Sequence, residues 1–266
     1  MHNQSVKFSI SKHTQWAPGL VSDLDWEAWL LSTNPLIKVD DTPPKVAAMP
    51  ALLRRRARFL GRMALEVAYA CLGDARDVPT IFCSRHGDVA LSLELISELL
   101  LHDAAVDPNV ESAGGSISPI GFSSAVHNAT AGLFSIARQD HANHLALAAG
   151  ASSVEHAVIE ACSLLADGAS EVLLVVAEQK LPPLFQRFED SDEQPYAFAW
   201  LIKAANSSDS LCLHWEALEP GASPITDDSE NKLLPAGLAI LRFQLGRQRY
   251  LTRHCATRRW TWSRHV

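Results

Sequence analysis

Short apolar runs alternate along this chain with longer stretches of helical period, a pattern that predicts an α/β layered domain with a largely buried sheet. After Pro50, a suitable first helical position, Leu53, Ala57, Leu60, Ala64 and Val67 recur at helical spacing. They predict a helix over 51–72 that stops at Gly73. Residues 80–83 read as a short strand and 88–101 as an amphipathic helix. A polar Gly/Ser/Pro stretch over 114–119 leads into a third helix over 124–138. The order strand 145–149, helix 152–166, strand 171–177 follows. Strands at 197–202 and 211–218 come without a clear helix between them, only a Ser/Asn/Asp turn at 204–210. A last helix spans 231–245.

The two ends read differently. Residues 1–48 look irregular and aromatic, with Trp16, Trp26 and Trp29, and close on the Pro43–Pro44 breaker. Residues 246–266 read as a basic aromatic tail containing Trp260 and Trp262. No internal repeat or low-complexity tract divides the chain, so its 266 residues are expected to form a single domain.

Composition narrows the class. A hydrophobic content of 47% is enough for a real core, and no apolar run has the roughly 18 residues of a membrane span. Residues 1–15 hold no continuous apolar stretch, which argues against a signal peptide and for a cytoplasmic protein. The five cysteines (Cys71, Cys83, Cys162, Cys212 and Cys255) are scattered and form no CxxC pair. Neither a disulfide framework nor a structural zinc site is therefore expected. A net charge of −7 disfavours nucleic acid, and it repels acidic proteins except at a local basic patch.

The turn Gly150–Ala151–Ser152 joins a strand to a helix whose Val154, Ala157, Val158, Ala161, Cys162 and Leu165 form an apolar stripe. A buried helix N-terminus of this kind depresses a thiol's pKa and stabilises an oxyanion. A nucleophile belongs at the junction, and the residue there is Ala151. Ser152 and Ser153 are adjacent, but a serine nucleophile needs a neighbouring base, and helix capping accounts for both.

Residues 118–179 resemble the N-terminal half of β-ketoacyl synthases of the thiolase fold. The similarity runs through SPIGFSSAVHNATAG, LALAAGASS, EACSLL and EVLLVVAEQ. The opening WAPGL…DWEAW and the segment SRHGD (Ser84 to Asp88) are similar to a bacterial β-ketoacyl-synthase-like family of aryl polyene pigment pathways. Aligned on Glu160–Ala161, the family's cysteine falls on Ala151. Active members are considerably longer and take catalytic histidines from a C-terminal half; neither His-Thr-Gly-Thr nor Asn-x-x-Phe-Gly-Phe-Gly-Gly occurs here. The resemblance therefore implies a thiolase-like half-fold, layered helices around a mixed β-sheet, with no catalytic residue and no cofactor.

It also implies a role: a shortened chain-length-factor-type subunit paired with a full-length, cysteine-bearing ketosynthase. Such a subunit would stabilise its partner and shape the acyl pocket, while an acyl carrier protein docks mainly through that partner. Phe122, Val126, His127, Asn128, Ala129 and Thr130 are the expected seam; a hydrogen-bonded surface histidine is the other reading of His127.

Other clusters suggest other chemistry. Arg55, Arg58 and Arg62 would share one face of the helix over 51–72 and could meet the acidic surface or the phosphate arm of a carrier protein. A solvated helix face is the alternative. Cys83 and His86, followed by Asp88, could form a thiol–imidazole pair in a stand-alone thioesterase or acyltransferase, or be a core cysteine beside a loop histidine. His156 and Glu160 read as an exposed helical pair. Asp140, His141 and His144 lack further ligands in sequence and read as a solvated loop rather than a metal site.

Overall fold

The structure is a computed structural model describing residues 4–32, 42–104, 117–206, 209–218, 234–255 and 257–265. Parts of the polar stretch (114–116), of the turn (207–208) and of the last predicted helix (231–233) lie outside the described residues. In chain order the elements are β1 (Ser5–Trp16), α1 (Asp23–Leu31), α2 (Ala51–Arg54), α3 (Phe59–Leu72), β2 (Thr80–Cys83) and α4 (Val89–Ala104). Then come α5 (Pro119–Ala125), α6 (Ala129–Arg138), β3 (His144–Leu147), α7 (Ser153–Ala166) and β4 (Val172–Glu178). The chain ends with β5 (Tyr196–Ala204), β6 (Ser210–Ala217), α8 (Ala236–Leu245), β7 (Tyr250–Cys255) and β8 (Arg258–His265).

The strands form one eight-stranded mixed sheet in the order β3-β2-β4-β5-β1-β6-β8-β7. β2 runs parallel to β3 and β4, and every other pairing is antiparallel. β4 is buried on both faces, so its sequence is an unbroken apolar run rather than an alternation. Val172, Leu174 and Val176 point into one core with α7, α8 and the tryptophans of α1; Leu173, Val175 and Ala177 point into the other with α3 and α6. On that second face β5 presents Ala197 and Ala199, whose small side chains let α3 lie close to the sheet.

The expectation of an irregular N-terminal segment over 1–48 does not hold for 5–31, and 1–3 and 33–41 lie outside the described residues. Residues 5–16 form a long strand inside the sheet, flanked by β5 and β6, with Phe8 fully buried. α1 follows, opened by a capping box in which Ser22 Oγ accepts from the Asp25 amide and the Asp25 carboxylate accepts from the Ser22 amide. The basic aromatic tail is the hairpin β7–β8. Its Trp260 and Trp262 have no exposure, because alternation along β8 turns both indoles inward and leaves Arg258 in solvent.

Two predicted helices are each broken in two. The helix over 51–72 turns at Arg55–Arg56 and restarts at Phe59, which seats Ala57 in the core. Arg58 there is an extended N-cap residue, so Arg55, Arg58 and Arg62 do not lie along one continuous helical face. The helix over 124–138 breaks at Val126, which is extended, and restarts at Ala129. The stop at Gly73 holds: its φ of +59° closes α3 through a bond from its amide to the Tyr69 carbonyl. Among the described residues no helix is long and apolar enough to cross a membrane.

Candidate functional site at the β3–α7 turn

β3 ends at Leu147, and residues 149–151 carry the chain into α7. Gly150 takes φ +61°, a left-handed conformation that lets Ala149 bridge to Ala151 across a tight elbow. Ser153 Oγ accepts from the Ala149 amide at 2.9 Å and donates to the Gly150 carbonyl at 2.7 Å. Ser152 Oγ donates to the Ala149 carbonyl at 3.3 Å. Both hydroxyls thus tie the elbow to itself. Ser152 occupies the N-cap position but makes no side-chain cap bond.

Although β3 and β7 are the two outer strands of the sheet, Arg253 on β7 reaches this turn. Its guanidinium donates to the Ala151 carbonyl at 3.1 Å and pairs directly with Glu155, which has no exposure. Trp260 of β8 packs edge-on to His156 at 5.2 Å, and His156 Nδ1 bonds the Ser152 carbonyl. His156 is therefore anchored to the C-terminal hairpin and the elbow rather than forming an exposed pair with Glu160.

Ala151 lines a cavity of about 1150 Å³. Its walls include Arg85, Glu178, Glu193, Tyr196, Arg253 and Cys255. Glu178 ends β4 with its carboxylate accepting from the Arg85 amide at 2.6 Å and from Ser84 Oγ at 3.2 Å. Burial raises its pKa from 4.5 to about 8, with those bonds opposing. Burial also pushes the Tyr196 phenol well above its ordinary value.

The expected seam residues fall into two groups. Phe122 is 63% exposed on α5, Val126, His127 and Asn128 are also exposed, and Ala129 and Thr130 are half-buried. Val126, His127, Ala129 and Thr130 line a second, small cavity of about 50 Å³, together with Arg58 and Cys83. The break before α6 sets the Nε2 of His127 against the Ser84 carbonyl at 2.9 Å.

Cys83 and His86 are not brought together. Cys83 is 3% exposed at the base of the small cavity, whereas His86 lines the large one. Burial holds the Cys83 thiol well above its ordinary pKa, reinforced by Glu178 and Glu155, which is the opposite of an activated nucleophile. Of the three arginines, Arg58 pairs with Glu94 at 2.5 Å and Arg62 donates to the Ala57 carbonyl, while Arg55 is exposed. Asp140 is 9% exposed and accepts from the Ala142 amide; no group that could hold a metal occurs among the described residues.

Glu155, Glu178 and Arg253 escape sequence reasoning. Glu155 carried one signal, a charge inside a run of buried helical positions (Val154, Ala157, Val158). Nothing local distinguishes Arg253 from the other arginines of the C-terminal segment.

No curated protein matches the chain by sequence. Among solved structures, it is similar to a chain of "Ketosynthase (ApeO) in Complex with its Chain Length Factor (ApeC)" from Xenorhabdus doucetiae, with a TM-score of 0.77 and 22% identity. The match covers 97% of this chain and 99% of that one. It is also similar to a chain of "The ishigamide ketosynthase/chain length factor", with a TM-score of 0.58, 16% identity and coverage of 89% and 73%. A third is a complex of a type II polyketide acyl-carrier protein with its ketosynthase bound to the hexaketide (TM-score 0.54, 11% identity, coverage 77% and 64%). The mixed sheet with helices on both faces is accordingly a thiolase-like fold. Residues 26–263 match the model of the β-ketoacyl synthase N-terminal domain, and the chain belongs to that family.

Proposed function

We propose that this chain is a non-catalytic ketosynthase-like subunit of the chain-length-factor type. It pairs with a full-length β-ketoacyl synthase, stabilises it, and shapes its acyl pocket during polyketide elongation of the aryl polyene kind. The carrying observation is a strand-to-helix elbow with Ala151 at its corner and the Arg253 guanidinium held against that residue's carbonyl. A methyl group supplies neither a nucleophile nor a proton, so the covalent step has to occur on another chain.

The surroundings of the elbow support a partner. β3 is an outer strand of the sheet, with Leu145 and Ala146 exposed and its outer backbone row available for pairing. α6 packs beside β3, α5 adds exposed Ile120 and Phe122, and the break after it adds exposed Val126. The seam then comprises β3 with Phe122, Val126, His127, Asn128, Ala129 and Thr130. Two of the similar solved structures are ketosynthases with chain length factors, and a third carries an acyl-carrier protein. On this reading residues 1–266 act as one domain in the cytoplasm with no cofactor. The carrier protein docks mainly through the partner, with Arg55 the best-placed free cation of the three arginines.

Titrating the chain into its ketosynthase while following acyl elongation tests this directly. Activity should rise and saturate at one equivalent, and Thr130→Trp should shorten the products. Elongation by the chain alone, or no response of the ketosynthase, defeats the proposal.

A further inference from the structure

The link between β4 and β5, residues 179–195, forms part of the wall of the large cavity through Asp190, Ser191, Glu193 and Gln194. Its first residue is anchored by Gln179 Nε2 donating to Asp88 at 3.2 Å, and it folds on itself through the Leu181 amide and Glu193 at 3.1 Å. One side chain clasps its middle. Arg85 pairs with Asp190 at 2.5 Å and donates to the Phe188 carbonyl at 3.3 Å, while its own amide donates to Glu178.

We infer that Arg85 and Glu178 form a proton-operated latch on this strap, closed when Glu178 is protonated and released when it ionises. Among the hydrogen bonds and ion pairs of the described residues, Arg85 alone touches both the strap and the Glu178 carboxyl. An ionised Glu178 faces no other free cation among the described residues. From β2 it meets Cys83, from the strap Glu193 with Glu189 and Asp190 behind it, and from β5 the Tyr196 phenol. Arg253 on β7 acts on Tyr196 but is committed to Glu155 of α7. His86 is disfavoured as a cation by its burial and by Arg85.

A half-buried carboxylate facing Glu193 and the Tyr196 phenol, with its nearest guanidinium committed to Asp190, is costly to ionise. Two responses relieve it: the Arg85 guanidinium swings from Asp190 and Phe188 to Glu178, or the strap lifts to admit water. Both release the strap from the wall of the cavity that Ala151 also lines.

Amide hydrogen exchange of residues 181–194, expressed as protection factors from pH 5 to pH 9, is the test. One proton is released on opening, so protection should fall about tenfold per pH unit toward pH 8 and then level off. Glu178→Gln should hold the strap protected with no such slope. Asp190→Asn, which cuts the clasp directly, should leave it weakly protected at every pH. Amides of α3 serve as the control for global unfolding. A flat profile in the unaltered protein, or the same slope in Glu178→Gln, overturns the latch.

Discussion

At the scale of single residues, the elbow is held by a charge pair that cannot lose one member cheaply. Glu155 is fully buried and Arg253 nearly so, so Arg253→Ala leaves a carboxylate without a counter-charge and should cost about 3–5 kcal/mol in urea unfolding. The double replacement Arg253→Met with Glu155→Leu should recover most of that loss, since an apolar pair of similar volume avoids the desolvation altogether. Glu178 makes a prediction of opposite kind. Its carboxyl titrates near 8 in the fold against 4.5 outside it, so the folded chain keeps a proton that the unfolded chain has released between those values. Stability should therefore fall as pH rises from about 5 to about 8 and hold steady beyond, losing roughly 1.4 kcal/mol for each pH unit crossed in that window. Glu178→Gln should match the unaltered protein near pH 5 and exceed it near pH 8 in the same unfolding assay. Alkylation separates the two candidate nucleophile positions: native Cys83 should resist iodoacetamide, whereas Ala151→Cys places a thiol on the wall of the large cavity and should label readily.

At the scale of elements, legibility followed how each strand is buried. β4 is enclosed on both faces and announced itself as a continuous apolar run; β2 and β5 did the same. β1 and β8 were missed because buried aromatics are interleaved with polar residues: Phe8, Trp260 and Trp262 are buried while Lys7, Lys12 and Arg258 are exposed, so the local composition looked polar and irregular. The buried indoles tie the C-terminal hairpin to the centre of the molecule, with Trp262 meeting Phe8 and Trp200 edge-on at 6.4 Å. Trp262→Ala should accordingly cost about 3–5 kcal/mol, read by denaturant midpoint, where a solvated tail would register almost nothing. The broken helices at 55–58 and 126–128 keep helical periodicity across the gap, and only tertiary contacts (Ala57 in the core, His127 on the Ser84 carbonyl) force the break. The elbow itself was legible because it is local: a strand, a glycine and an apolar helix stripe adjacent in sequence. Its second half, Arg253 against Glu155, joins residues 98 apart and left no periodic trace. β3 offers the test at this scale. Leu145 is 38% exposed on an outer strand, so Leu145→Lys should leave the melting temperature within a degree or two while weakening any partner that pairs there.

At the scale of the whole molecule, the outer strand β3 leads into an elbow whose corner residue is Ala151, and the C-terminal hairpin meets that elbow through Arg253 and Trp260. On the proposed reading, a chain built this way keeps a ketosynthase-like shape for use by another subunit. Such use requires a physical association, and association has a direct measure. Native mass spectrometry of the chain co-expressed with its cognate ketosynthase should show a complex containing one copy of each. Two separate species at micromolar concentration, the ketosynthase paired only with itself and this chain on its own, would contradict it.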